Sequence, residues 1–224
     1  MKVCAGVHLV GSGDLSDPKD CCVYLVDGGD ELALIDAGAG DGFAAIVENI
    51  AAAGYDPKKL STLVLTHCHI DHCGGIPEFV SRFGVKVVAH QAGAEVLASR
   101  DALRTAATWY NMDVPEIAVD QTFSAPELRL RVGGQELICL HTPGHSPDSI
   151  SVYLDREGRR VLFGQDVHGP FHPALGSDVK QWRQSMEQLL ALQAVVLCEG
   201  HFGVYQPAAK VAAYIRSYLK QVRD

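Results

Sequence analysis

Short apolar runs separated by polar, glycine-rich breaks give this chain its pattern. Cys21–Val26, Leu32–Ile35, Leu63–Leu65, Val85–Ala89, Val161–Phe163 and Ala194–Leu197 are too brief for buried helices and read as buried strands. Val3–Val10 and Ser149–Leu154 extend the set. Leu128–Val132 alternates apolar and charged residues, and Glu136–Leu140 follows it across Gly133-Gly134 as a hairpin partner. Asp27-Gly28-Gly29-Asp30 is a second hairpin turn. Helical spacing appears over 43–53, where Gly54 is placed to cap, and again over 76–83, 92–103, 179–192 and 207–222. Strands alternating with helices predict an α/β fold. No linker or low-complexity segment interrupts the pattern, so a single domain over 1–224 is expected. Residues 105–119, with Trp109, Tyr110 and Met112, have no period and read as a loop or a lid over a pocket.

Four of these strands run into residues able to bind a metal. Leu63–Leu65 leads into Thr66-His67-Cys68-His69-Ile70-Asp71-His72, which places three imidazoles and a carboxylate within six residues. Later strands end at His145, Asp166 and His201, each beside a glycine or followed closely by one. Imidazole and carboxylate ligands suit zinc and neighbouring divalent ions. His67 and His69 point the same way on an extended segment and can grip one ion. Asp71 and His72 lie past the bend and can reach a second.

Composition narrows the setting. The net charge of -8 and the lack of any Lys/Arg run argue against nucleic acid as a partner. No apolar stretch reaches the ~18 residues of a membrane span, and the first residues lack the apolar core of a signal peptide. A cytoplasmic protein acting on a small molecule, without a membrane partner, is expected. Seven cysteines without regular spacing do not look like a disulfide framework, and most are expected reduced and buried. Cys68, Cys73, Cys139 and Cys198 adjoin the motifs but read as core residues. His168 and His172 are candidate substrate contacts or proton carriers, whereas His8, His90 and His141 read as structural. The exposed face of the final helix offers a surface for a homodimer.

These motifs resemble the metallo-β-lactamase superfamily. Its His-x-His-x-Asp-His pattern stands as His67, His69, Asp71 and His72. Its Thr-Pro-Gly-His turn stands as Thr142-Pro143-Gly144-His145. Asp166, His201 and the early Asp36 complete the set in the right order. The resemblance implies a four-layer αβ/βα sandwich of two mixed sheets flanked by helices. It also implies two divalent metal ions, zinc foremost, with iron or manganese as alternatives. Carried over, it puts His67, His69 and His145 on one ion, Asp71, His72 and His201 on the other, and Asp166 between them. A metal-bridging hydroxide would attack a carbonyl, and Asp71 would orient it and pass its proton to the leaving group.

Among the family's branches, true zinc β-lactamases usually carry cysteine at the position of Asp166. Diiron flavoproteins have glutamate at that of His69, and the nucleases carry an added domain. The turn at 142–149 resembles that of the hydroxyacylglutathione hydrolases (glyoxalase II). A small hydrolase of thioesters, esters or lactones is therefore expected. Persulfide dioxygenases, which hold one iron with two histidines and an aspartate, are the redox alternative. Their Gly-Arg-Thr-Asp-Phe-type segment is replaced here by Val167-His168-Gly169-Pro170.

Overall fold

The computed structural model describes residues 1–222. Its first sheet is built from β1 (Lys2–Cys4), β2 (Val7–Gly11), β3 (Val23–Asp27), β4 (Leu32–Ile35), β5 (Leu60–Val64), β6 (Lys86–His90) and β7 (Gln121–Phe123), adjacent in that order. β1 to β4 run antiparallel, and β4 to β7 run parallel. Helices α1 (Phe43–Ala52), α2 (Ile70–Cys73), α3 (Ile76–Phe83), α4 (Gln91–Ser99) and α5 (Ala107–Tyr110) fall within this half. The second sheet comprises β8 (Glu127–Val132), β9 (Gln135–His141), β10 (Ile150–Arg156), β11 (Arg159–Gln165), β12 (Val196–Glu199) and β13 (Val204–Tyr205). Its order is β13-β12-β11-β10-β9-β8. Only β11 and β12 pair in parallel there. Helix α6 (Val179–Ala191) precedes β12, and α7 (Ala208–Gln221) closes the described chain.

Three apolar cores define four layers. One lies between the sheets, where Val7, Tyr24, Ile35 and Val64 meet Leu137, Val152, Phe163 and Val196. A second packs α1, α3 and α4 on the first sheet through Ile46, Ile50, Phe79 and Leu97. The third packs α6 and α7 on the second sheet through Trp182, Met186, Leu189 and Ile215. The αβ/βα sandwich of two mixed sheets flanked by helices is as expected. Burying both faces of each sheet explains why its strands read as unbroken apolar runs.

The differences are local. Val3–Val10 is two short strands, since Gly6, at φ +66, turns the chain between β1 and β2. Two short edge strands, β7 and β13, had no signal because two or three residues carry no periodicity. The helix read over 92–103 is shorter, ending at Ser99, where Arg100 adopts φ +52.

Candidate metal centre

The histidine-rich loop is clamped by two buried carboxylates. Asp36 leaves β4 at φ 63, a left-handed conformation that a short polar side chain tolerates. Its Oδ1 accepts from the Thr66 amide and its Oδ2 from the Thr66 hydroxyl, both at 2.8 Å. On the other side, Asp148 Oδ2 accepts from the Cys68 amide at 2.8 Å. His69 is extended and caps α2, whose single turn carries Asp71 and His72.

The remaining ligands arrive from the second sheet. His145 follows Gly144, whose φ of +140 and close approach to the Trp182 backbone leave no room for a side chain. Ser177 Oγ donates to the His145 carbonyl at 2.6 Å. Asp166 follows a break in the β11–β12 register, where Gln165 takes φ 51 and accepts the Asp166 amide at 2.8 Å. A side chain at Gly200 would stand 2.2 Å from Asp166 Oδ1, so the carboxylate occupies space that glycine leaves. The turn carrying His201 is tied to the first sheet by Cys22 N, which donates to the Gly200 carbonyl, and by Tyr24 Oη, which donates to the Glu199 carbonyl.

These side chains converge as two groups. His67 Nε2 and His145 Nε2 each lie 3.0 Å from His69 Nδ1. Asp166 Oδ2 is 3.4 Å from His145 Nε2 and 4.0 Å from His67 Nε2. In the second group, His201 Nε2 sits 3.3 Å from both Asp71 Oδ2 and His72 Nε2. Asp166 reaches this group as well, at 3.4 Å from His72 and from His201. Each cluster gathers enough nitrogen and oxygen ligands to hold a cation.

The donor set fits a metal on its own chemistry. Asp166 Oδ1 is buried without a hydrogen-bond partner, and three imidazole nitrogens face one another at contact distance. Thr66 Oγ1 behind His67, Asp36 Oδ2 behind His72 and the Pro170 carbonyl behind His145 hold the far nitrogens of those rings, whereas His69 Nε2 is buried without a partner. Such partners fix ring orientation and raise ligand basicity.

Electrostatics separate the two groups. Burial pushes His67 well below the ordinary imidazole range, lowers His145 and takes His69 down to about 3. These three rings are therefore neutral ligands at pH 7. Burial also opposes charge on His201, yet Asp166 and Asp71 lift it to about 10. His72 is raised as well, by Cys21, Asp166, Asp36 and Asp71 against its burial. Burial works to raise Asp71, but His72 and His201 outweigh it and hold the carboxyl at about 2. A cation entering this second group would have to displace those protons.

A cavity of about 310 Å³ opens over the cluster, with His69, Asp71, Asp166 and His201 in its lining. His168 also lines it, and its Nδ1–H donates to Glu199 Oε1 at 2.8 Å. His172 does not. It caps the short turn 173–175 and stands edge-on to Trp109 at 5.5 Å. The 105–119 segment is no detached flap, because Thr105 accepts the Ile70 amide at 2.8 Å and Tyr110 Oη donates to Asp71 Oδ2 at 2.9 Å. Cys68 Sγ faces Asp148, and all seven cysteines are free thiols. His90 and His141 stack on each other at 3.9 Å and take no part in either cluster.

The family model of the metallo-beta-lactamase superfamily matches residues 17–201. The chain belongs to this superfamily. A metallo-beta-lactamase fold-containing protein, ST1585, of Sulfurisphaera tokodaii is 26% identical over 98% of this chain and 85% of its own length. The acyl-coenzyme A thioesterase MBLAC2 of Homo sapiens is 28% identical over 65% of this chain and 57% of that protein. The atrochrysone carboxyl ACP thioesterase of Aspergillus fumigatus is 28% identical over 82% of this chain, which spans about half (51%) of that relative. Among solved structures, the subclass B3 metallo-beta-lactamase BJP-1 of Bradyrhizobium japonicum superposes with a TM-score of 0.80, covering 99% of this chain and 90% of that one at 21% identity. The last likeness is one of fold. Two of these relatives are named as thioesterases, which are hydrolases, and no described helix is long and apolar enough to cross a membrane.

Proposed function

We propose that this superfamily member is a dinuclear, zinc-dependent hydrolase of small acyl thioesters, esters or lactones. The observation that carries the reading is Asp166, a buried carboxylate within 3.4 Å of histidines from both ligand groups. Two nearby cations need a shared anion, and this side chain is placed to supply it. On this reading His67, His69 and His145 hold one ion, and Asp71, His72 and His201 hold the other. When bound, the ions lower the pKa of a coordinated water to about 7 and polarise the substrate carbonyl.

The chain's own residues then do the rest. A water oxygen bonds to the carbonyl carbon, the carbon–sulfur or carbon–oxygen bond breaks, and the leaving group takes a proton to give a thiol or alcohol beside the acid. Asp71, its Oδ2 fixed by the Tyr110 hydroxyl, is the carboxylate placed at the cavity floor to orient the water and pass its proton on to the leaving group. Curated relatives named as acyl-coenzyme A and ACP thioesterases support the acyl-transfer class.

The test is metal content by elemental analysis of protein purified without added metal and with oxygen excluded, followed by turnover of acyl thioesters and lactones. About two zinc ions per chain with turnover are expected. One iron per chain, with oxygen uptake on persulfides and no hydrolysis, would overturn the proposal in favour of the redox alternative.

A further inference from the structure

The walls of the cavity differ in kind from its floor. Besides the histidines, the aspartates and Tyr110, the lining is Ala106, Trp109, Pro170, Leu175 and Phe202. Among the described residues only six large apolar side chains are exposed. Two of them, Trp109 at 49% and Phe202 at 56%, line this one cavity. Exposed aromatic surface over a polar floor marks a place where apolar matter binds.

Both rings are held ready. Trp109 sits on the single turn α5, bracketed by Ala106 at φ 56 and Asn111 at φ 52. Left-handed backbone at an alanine is strained, and such strain collects where a side chain must be presented at one angle. His172 stands edge-on to the Trp109 ring at 5.5 Å, and His168 does the same for Phe202 at 4.6 Å. The Phe202 amide is also fixed, donating to Glu199 Oε2 at 2.8 Å. Rings ordered beforehand lose little freedom when a ligand enters.

Charge supplies the second half of the argument. Among the described residues no lysine or arginine lines the cavity. A glutathione or coenzyme A carrier bears carboxylates or phosphates, which are recognised through Arg and Lys. No guanidinium or ammonium among the described lining residues offers that recognition, so the discriminating contacts fall on the acyl side.

We infer that the site selects its substrate by an apolar acyl group seated against Trp109 and Phe202, the leaving group being neutral where it crosses the cavity. This rests on the acyl-hydrolase reading above and adds the substrate class to it. Each methylene buried between the rings should tighten binding about four-fold until the cavity is filled.

The experiment uses two probe series on the metal-loaded chain. N-acetylcysteamine thioesters from acetyl to decanoyl report turnover. The matching S-alkyl N-acetylcysteamine thioethers, which cannot be hydrolysed, report binding by calorimetry. Expected are kcat/KM and affinity that both climb with chain length, a slope flattened in Trp109→Ala and in Phe202→Ala, and a slope retained in Trp109→Phe and Phe202→Leu. S-acyl glutathiones of equal chain length should gain nothing over the neutral thioesters. Should either alanine variant fail to fold, the wild-type slope and the two conservative variants still decide. A flat or falling series in wild type, a slope indifferent to Trp109→Ala, or a ten-fold preference for the glutathione conjugate would overturn the inference. Chain-length-dependent thioether binding without hydrolysis of any thioester would leave the aromatic subsite standing and sink the hydrolase reading instead.

Discussion

His168 Nδ1 and Glu199 Oε1 are 2.8 Å apart, joining the loop after Asp166 to the turn before His201. The Glu199 side chain is fully buried, and its other oxygen accepts from the amides of His201 and Phe202 at 2.7 and 2.8 Å. One carboxylate therefore orients a cavity-lining imidazole and shapes the turn that carries a ligand. Glu199→Gln is expected to lower kcat/KM by about 10- to 100-fold and to reduce metal retention, because the turn carrying His201 loses a charged acceptor whose hydrogen bonds are worth about 1.5–3 kcal/mol. His168→Ala should lower kcat/KM by a similar factor with full metal content. Elemental analysis beside kinetics on the two variants separates them.

Removal of a ligand should empty the site and spare the fold. His69→Ala and Asp166→Ala are expected to lose most bound metal and esterase turnover while the far-ultraviolet circular dichroism persists. Full activity in either variant would contradict the ligand assignment. Cys68→Ser should keep wild-type metal content, because its sulfur faces Asp148 and the Arg104 carbonyl and belongs to neither ligand group.

Asp36 acts from beneath. It accepts two hydrogen bonds from Thr66 and holds His72 Nδ1 at 2.8 Å. Asp36→Asn keeps the shape and tolerates the left-handed backbone but loses the charge, so metal affinity should fall about 10- to 100-fold in a competitive chelator titration. Asp36→Ala additionally leaves buried donors without an acceptor and should cost about 3–5 kcal/mol in urea unfolding of the metal-free chain.

Stability of the metal-free chain should peak near pH 6.5 and fall on both sides. His69, down to about 3 in the fold, binds fewer protons there than in the unfolded chain, so stability is lost as pH drops from about 6.5 towards 3. His201, up to about 10, binds more protons folded than unfolded. Its contribution is complete below about 6.5 and disappears as pH climbs towards 10. Urea midpoints of chelator-stripped protein at pH 5, 6.5 and 9 test this, and His201→Asn should remove much of the alkaline loss. A midpoint that kept rising to pH 9 would contradict it.

The clustering of metal-competent side chains was legible because a metal demands particular residue types, and here four of them crowd a single strand end. The layers were legible because strands covered on both faces become uninterrupted apolar runs. Glu199 left no trace, since its partner His168 lies 31 positions away and a lone glutamate after a strand resembles a turn residue. Tyr110 and Trp109 sat in an aperiodic segment whose shape depends on left-handed Ala106, a conformation that alanine does not advertise. His172 could be read from its position as a substrate contact. The fold gives it the task of capping a turn and bracing Trp109 instead, which only the folded neighbourhood reveals.

The split origin of the ligands has a consequence for how the protein is made. His72 and His201, which meet at 3.3 Å, stand 129 positions apart, and Asp166 joins the set from a third segment. A cation held only where these distant segments have met would bind the folded chain and not the unfolded one, and so would stabilise the fold by mass action. During synthesis the first cluster of histidines emerges long before His145, Asp166 and His201. Tight metal capture thus becomes a checkpoint on completed folding, with an early truncation product holding the motif but lacking the grip.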